Sequence, residues 1–167
     1  FEVYVMNADG SEQENLTNHS ADDGSPSWSP DPDGGQIAFD SGRDGNGEIY
    51  VMDADGSRVT NLTNHEAWDS LPAWSPKGER VSFMSDRDEN LEIYLMDTDG
   101  SNLTRLTDHP GDDRSPAWSP DGELIAFFSD RDGQSEIYVM NADGTRVRRL
   151  TSNSWNDRSP SWSFNWI

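Results

Sequence analysis

Four aspartates recur at one position of this sequence, each three residues before a proline in a predicted strand: Asp23, Asp69, Asp113 and Asp157. Oxygen ligands without His or Cys suit hard cations such as Ca²⁺ or Mg²⁺. If the four carboxylates surround one channel mouth, their mutual repulsion favours a cation between them. We therefore predict a divalent metal site with Ca²⁺ as the cofactor. The alternative is that each aspartate caps its own turn through backbone N–H groups.

Two tryptophans stand out of phase with the rest of the chain. Trp68 and Trp155 lie in predicted loops where other copies of the pattern hold residue pairs such as Gly111-Asp112. Loop aromatics that do not repeat favour recognition of a partner, so we predict that both bind a partner; simple loop packing is the alternative. The tryptophans that do repeat are expected in the core between sheets: Trp28, Trp74, Trp118 and Trp162.

Side-chain sets for catalysis are scarce, and we predict that the protein is not an enzyme. The chain has no cysteine, and it contains no Gly-x-Ser-x-Gly elbow, phosphate loop or His-Glu-x-x-His motif. A structural bond to an acid such as Asp86 or Asp130 is expected for the histidines, which share one repeated position: His19, His65 and His109. Arg–carboxylate pairs are favoured for the arginines that recur between acids: Arg43, Arg87 and Arg131.

The charge of the chain narrows the choice of partners. The sequence carries 32 acidic against 12 basic residues, a net charge of −20 at pH 7. Such a field repels nucleic-acid phosphates and favours basic partners or cations. No apolar run approaches the ~20 residues of a membrane span. We expect a protein or peptide partner, or another copy of the chain, with neither nucleic-acid binding nor membrane insertion. Salt adaptation is an alternative explanation of the acidity.

An internal repeat organises the whole chain. The string Glu-(Ile/Val)-Tyr-(Val/Leu)-Met starts at Glu2, Glu48, Glu92 and Glu136, so it steps by 46, 44 and 44 residues. Between residues 48–76 and 92–120, 18 of 29 positions are identical. Phase-locked apolar strings of this kind imply a repeated packed unit rather than disorder. The repeats are placed at about 1–25, 26–71, 72–115 and 116–159, with a terminal strand at 160–167.

Each repeat contains four short strand patterns separated by turn residues. In the third full copy the predicted strands are Pro116–Ser119, Leu124–Phe128, Glu136–Met140 and a fourth that ends near Leu150-Thr151. Inner strands with apolar residues on both faces must be covered on both sides. Four strands in about 44 residues therefore predict an all-β propeller of four-stranded antiparallel blades.

The motifs Pro-Ala-Trp-Ser-Pro-Asp-Gly from Pro116, Ile-Ala-Phe-Phe-Ser-Asp-Arg-Asp-Gly from Ile125 and Glu-Ile-Tyr-Val-Met-Asn-Ala-Asp-Gly from Glu136 resemble the WD-like propeller repeats of the TolB family. The resemblance covers essentially the whole chain. It implies a binding scaffold in the periplasm or outside the cell. Related propellers in other proteins lie beside peptidase domains. We expect this chain to depart from that family in having about four repeats, fewer than the TolB propeller, and in lacking the domain that precedes the propeller there.

The phase of the two ends predicts a composite blade. Phe1–Thr17 supplies third and fourth strands only, whereas Pro160–Ile167 supplies a first strand, so three complete blades and one shared blade are expected. The preferred function is a non-enzymatic scaffold for protein or peptide binding. Two alternatives stay open: a self-assembling structural protein whose open ends join chain to chain, and an accessory propeller of a peptidase or other hydrolase.

Overall fold

Each repeat folds as a small antiparallel sheet whose strands follow one another along the chain. The computed structural model describes residues 1–31 and 35–163, and this part of the chain contains strands but no helix. A two-stranded N-terminal sheet comes first, with β1 (Tyr4–Val5) and β2 (Glu14–Asn15). Three four-stranded sheets follow, which we call the first, second and third blades.

The three blades have closely matching strands. The first blade contains β3 (Asp23–Trp28), β4 (Gln36–Ser41), β5 (Glu48–Asp53) and β6 (Thr60–Asn61). The second contains β7 (Asp69–Trp74), β8 (Arg80–Ser85), β9 (Glu92–Asp97) and β10 (Thr104–Arg105). The third contains β11 (Asp113–Trp118), β12 (Leu124–Ser129), β13 (Glu136–Asn141) and β14 (Arg148–Arg149). The predicted propeller fold is confirmed, with four antiparallel strands in each blade.

The first strand of each blade begins three residues earlier than predicted. In the third blade β11 starts at Asp113 rather than Pro116, and its pairing with β12 shifts between Arg114 and Ala117. Ser115 within this bulge has a φ of 55°. A proline cannot donate to the ladder and is tolerated at a bulge. The proline therefore marks a bulge inside the strand and not its start.

The apolar cores lie between neighbouring sheets. Between the first and second blades, Ile49 and Val51 pack with Phe83 and Tyr94, which are all buried. Phe83 and Tyr94 stack with ring centroids 5.8 Å apart, and the same pair recurs in the other two blades. Burying a Phe or Ile side chain contributes about 1.5–3 kcal/mol. Thin cores of this kind explain how a chain of low overall hydrophobicity keeps a fixed structure.

A close backbone contact joins each blade to the sheet before it. A Cβ on Gly100 would lie 2.5 Å from the carbonyl oxygen of Leu62, and Gly100 has a φ of 83°. Gly144 approaches Leu106 in the same way, with 2.6 Å to the carbonyl oxygen. A side chain at either glycine would clash with backbone atoms of the preceding sheet. It would also require a non-glycine residue to adopt a strained positive φ. The repeated Asp-Gly turn therefore docks against the repeated Leu-Thr of the preceding blade.

The prediction that the first-strand tryptophans lie in the core is correct for Trp74 and wrong for Trp28. Trp74 packs in the core between the first two blades, whereas Trp28 is 51% exposed. Trp118 packs partly against the core between the second and third blades and donates from Nε1 to Ser82 Oγ at 2.9 Å. Trp28 is more exposed than Trp74 because the N-terminal sheet, which precedes the first blade, contains only β1 and β2.

Trp74 has a buried indole N–H with no hydrogen-bond partner. In the next repeat the corresponding indole bonds Ser82, whereas the residue that corresponds to Ser82 in the first blade is Ala38. Replacing Ala38 with serine is expected to stabilise the protein by about 1 kcal/mol, because the new hydroxyl can accept this bond. Urea unfolding of both proteins measures the difference.

The matched control is Ser82→Ala, which leaves the Trp118 indole without its acceptor and is expected to destabilise by about 1–3 kcal/mol. A loss of stability in Ala38→Ser would show that the hydroxyl overpacks the site instead of reaching Trp74.

The two ends of the chain do not form a blade within the described residues. Trp162 Nε1 donates to the Ala117 carbonyl at 3.0 Å, but Asp157–Ser163 has no strand pairing. The end of the predicted terminal strand, residues 164–167, lies outside the described residues. Closure of the ring by the C-terminal segment onto Phe1–Thr17 therefore stays a prediction.

Candidate binding site between the first and second blades

Three of the predicted metal-ligating aspartates are buried against arginines of their own blade. Arg87 donates from Nη2 to Asp69 Oδ1 and Oδ2 at 3.0 and 2.9 Å, and the Asp69 side chain is 0% exposed. Arg43 makes the same two bonds to Asp23 at 3.0 and 3.2 Å. Arg131 reaches one oxygen of Asp113 at 2.6 Å. The predicted Arg–carboxylate pair is confirmed, with the first-strand aspartate as its acid.

Asp113 is the least satisfied of the three carboxylates. Its Oδ1 is buried without a hydrogen bond, and burial raises its pKa despite the neighbouring Arg131. Asp157 differs again, because its Oδ2 accepts from Asn153 Nδ2 at 2.7 Å. Residues 1–31 and 35–163 contain no group of three or more acidic or His side chains arranged to hold a metal. The Ca²⁺ site stays a prediction.

A second buried carboxylate in each blade explains other recurring residues. Glu92 Oε2 accepts from Thr107 Oγ1 at 2.5 Å, and its Oε1 accepts from the His109 amide and from Arg105 at 2.8 and 2.7 Å. Although burial favours the neutral form, these bonds hold the pKa of Glu92 below its ordinary value. Glu136 binds Thr151 and Arg149 in the same way. The glutamate and the Leu-Thr motif therefore recur as one hydrogen-bonded unit.

The histidines make hydrogen bonds within their own loops, and the predicted bonds to Asp86 and Asp130 are wrong. Nδ1 of His65 instead accepts the amide of Ala67, two residues later, at 3.1 Å. His19 and His109 repeat this contact. Asp86 accepts the Trp68 amide at 2.7 Å. Each imidazole therefore shapes its own loop.

A cavity of about 970 Å³ lies between the first and second blades, and we call it the interblade cavity. Trp68, Leu71 and Met84 give it apolar walls. Its acidic lining residues are Asp22, Asp40 and Asp86. No lysine or arginine is among the residues that line it. The interblade cavity therefore combines apolar surface with negative charge.

Trp68 is held in place on the wall of this cavity. A Cβ on Gly47 would lie 2.9 Å from Trp68 Nε1, so the indole rests against bare backbone. Its own amide is fixed by Asp86. The residue is nevertheless 59% exposed. The ring is thus a positioned and accessible surface, which is what an aromatic anchor for a partner requires.

Departures from the repeat create the cavity. Ser70 stands where the third blade has Arg114, and Gly47 stands where the other blades have Leu91 and Ser135. Asp40 replaces a residue that is Met84 in the second blade, and its Oδ2 accepts the amide of Leu71 at 3.0 Å. Sequence reasoning missed Asp40, although an acid in an apolar strand position is a readable signal. The small residues Ser70 and Gly47 indicate a cavity only once the structure shows the two blades side by side.

Trp155, the other predicted partner-binding residue, lies elsewhere. It is 77% exposed, and its amide donates to Asn153 Oδ1 at 2.7 Å. It does not line the interblade cavity. A separate cavity of about 420 Å³ is lined by the first-strand tryptophans: Trp28, Trp74, Trp118 and Trp162. The structure therefore brings Trp68, but not Trp155, into the candidate site.

Four-stranded sheets that pack face to face in repeat order define a β-propeller. The sequence model of the TolB beta propeller domain matches residues 1–71 and 60–166. This chain belongs to the TolB beta propeller domain family. The described residues include no helix long and apolar enough to cross a membrane.

Solved structures agree with this assignment. A TolB candidate from Agrobacterium tumefaciens matches with a TM-score of 0.81 and 28% identity, over 90% of this chain and 56% of that one. TolB from Acinetobacter baumannii gives a TM-score of 0.81 and 28% identity, over 94% of this chain and 39% of that one. A nidogen/laminin complex, at 14% identity and a TM-score of 0.71 over 86% of this chain and 54% of that one, shares the fold. The search of curated protein sequences gives no match.

Proposed function

We propose that this chain is a non-enzymatic binding module that recognises a protein or peptide segment through the interblade cavity. The observation that carries the proposal is the accessible indole of Trp68, fixed against Gly47 on the wall of a cavity of about 970 Å³. Ligand cavities commonly have about 300–1,000 Å³ and mostly apolar walls with a few polar groups. Tryptophan is also enriched among the residues that dominate protein interfaces.

Two further parts of the proposal are the location, which the family suggests, and Ca²⁺, which the repeated aspartates suggest. The chain spans 56% and 39% of the two TolB chains, less than two thirds of either, so the activity of a whole TolB protein is not assumed. We expect a location in the periplasm or outside the cell. Ca²⁺ is expected to act, where it binds, on stability rather than on recognition.

Selection of random peptides displayed on phage tests the proposed function. Peptides enriched on the protein are expected to lose about 30-fold in affinity with Trp68→Ala, because truncating an interface hot spot costs about 2 kcal/mol. Fluorescence polarisation with labelled peptides measures the affinity. The matched control is Trp155→Ala, which removes a more exposed indole outside the cavity.

Binding that depends on Trp155 and not on Trp68 would place recognition elsewhere. Circular dichroism melting of both variants checks that neither substitution unfolds the chain.

Self-association is a second candidate function, favoured by the exposed apolar residues of the N-terminal sheet. Tyr4 in β1 and Met6 directly after it are 61% and 60% exposed, and the described partner of β1 is β2 alone. We expect the mass in sedimentation equilibrium to rise with concentration and to become monomeric in Tyr4→Ser/Met6→Ser. Leu103→Ser, at an exposed apolar residue of the second blade, is the control. A monomeric mass at all concentrations would rule out this candidate.

A further inference from the structure

The third blade holds an arginine at the repeat position that lines the interblade cavity in the second blade. Arg114 extends from β11 and pairs with Asp112, and its Nη1 lies 3.7 Å from Asp130 Oδ2. Its Cζ lies 5.9 Å from the centre of the Phe128 ring. The cation therefore sits between carboxylates and above an apolar surface.

The second blade keeps one carboxylate of this arrangement but lacks its arginine. Ser70 replaces Arg114, Met84 replaces Phe128 and Trp68 replaces Asp112, and all three line the interblade cavity. Asp86 retains the acid of Asp130. Its Oδ1 accepts the amide of residue 68 at 2.7 Å, as Asp130 accepts that of residue 112 at 2.8 Å. The Asp86 carboxylate is thus held by the same backbone bond as that of Asp130, but it faces the cavity where Asp130 faces a guanidinium.

We propose that the interblade cavity takes an arginine side chain of a peptide partner, with the guanidinium between Asp86 and the indole of Trp68. This inference rests on the proposed function and names the chemistry of the partner. Asp40 adds a second carboxylate from the first blade. A planar guanidinium stacks on an indole and pairs with carboxylates better than an ammonium does. The net charge of −20 attracts a basic peptide over longer distances.

Two small probes test this proposal without the selected peptides. Acetyl-Gly-Arg-Gly-amide and its citrulline analogue, which is isosteric and uncharged, are titrated into ¹⁵N-labelled protein at millimolar concentration. The arginine peptide is expected to shift the Trp68 indole N–H signal, which Trp68→Phe assigns, and the citrulline peptide is not. Asp86→Asn should abolish the shift. Glu66→Gln, an exposed acid of the same loop outside the cavity lining, should preserve it.

A gain-of-function variant provides an independent readout. Ser70→Arg places an arginine in the second blade at the position that Arg114 has in the third, so its guanidinium should occupy the cavity beside Asp86, raise the melting temperature and block the arginine peptide. Equal shifts with arginine and citrulline, or a shift that survives Asp86→Asn, would overturn the proposal. Selected peptides that depend on Trp68 but tolerate citrulline would overturn this inference while the proposed function stands. An arginine-specific shift without any Trp68-dependent selected peptide would support the cation site and reject the proposed function.

Discussion

Arg87→Met is expected to destabilise the protein by about 3–5 kcal/mol, because it leaves a buried carboxylate without its cation. The Asp69 side chain is 0% exposed and takes two bonds from Arg87. Arg87 also donates to Ser85 Oγ at 2.8 Å and lies 4.8 Å above the Tyr94 ring. Loss of the guanidinium therefore removes an ion pair, a hydrogen bond and an aromatic contact together.

Urea unfolding at pH 7 measures this effect. Arg148→Met, at an exposed arginine of β14, is the matched control and should change stability by less than about 0.5 kcal/mol. The double variant Arg87→Met/Asp69→Leu should recover much of the loss, since apolar replacement of both partners of a buried pair is often tolerated. A single variant as stable as the control would show that Asp69 does not carry a charge that needs pairing.

Glu92→Gln is expected to cost about 3 kcal/mol at neutral pH, because an amide cannot accept every bond that the buried carboxylate receives. The donors are the Thr107 hydroxyl, the His109 backbone amide, Arg105 and the Asn90 side-chain amide. These bonds lower the pKa of Glu92 from its ordinary value of about 4.5, although burial acts in the opposite direction. A lowered pKa means that the folded state binds this proton less tightly than the unfolded state does.

The pH dependence of that cost has a defined sign. The stabilisation by the Glu92 carboxylate is present above pH 4.5 and is lost as the pH falls through the lowered pKa of the folded state. The difference in unfolding free energy between the wild type and Glu92→Gln should therefore shrink on acidification. The difference for Glu66→Gln, at an exposed acid, should stay near zero. Asp113 contributes the opposite slope, because burial raises its pKa. A cost of Glu92→Gln that is constant with pH would contradict this account.

The repeat predicted the fold because its information is local and redundant. Strands such as Leu124–Ser129 and Glu136–Asn141 agree with the predicted segments within one residue at their ends. The fourth strand is shorter than expected, since only Arg148 and Arg149 pair with β13. The sequence places the first strand three residues too late, because a proline inside a bulge has the same sequence signal as a proline at a strand start.

The candidate site was only partly predictable. Trp68 is visible in the sequence because it breaks the repeat. The cavity depends on the small size of Gly47 and Ser70, where the third blade has larger side chains. The space that they leave becomes a cavity only because the two blades lie side by side. The pairing of Asp69 with Arg87 joins residues 18 positions apart, which the β7–β8 hairpin brings together. Spacing along the chain indicates the residue types of such pairs but not which acid each arginine meets.

The contact between Gly100 and Leu62 has a consequence for how such chains change in length. Each repeat carries a turn that docks backwards and a Leu-Thr segment that receives the next turn, so it holds both halves of the joint. Duplication of one repeat in the gene would therefore insert a blade whose two joints already fit. A deletion of half a repeat would leave a glycine turn without the Leu-Thr segment that it contacts. The length of such a chain is thus expected to vary in whole repeats.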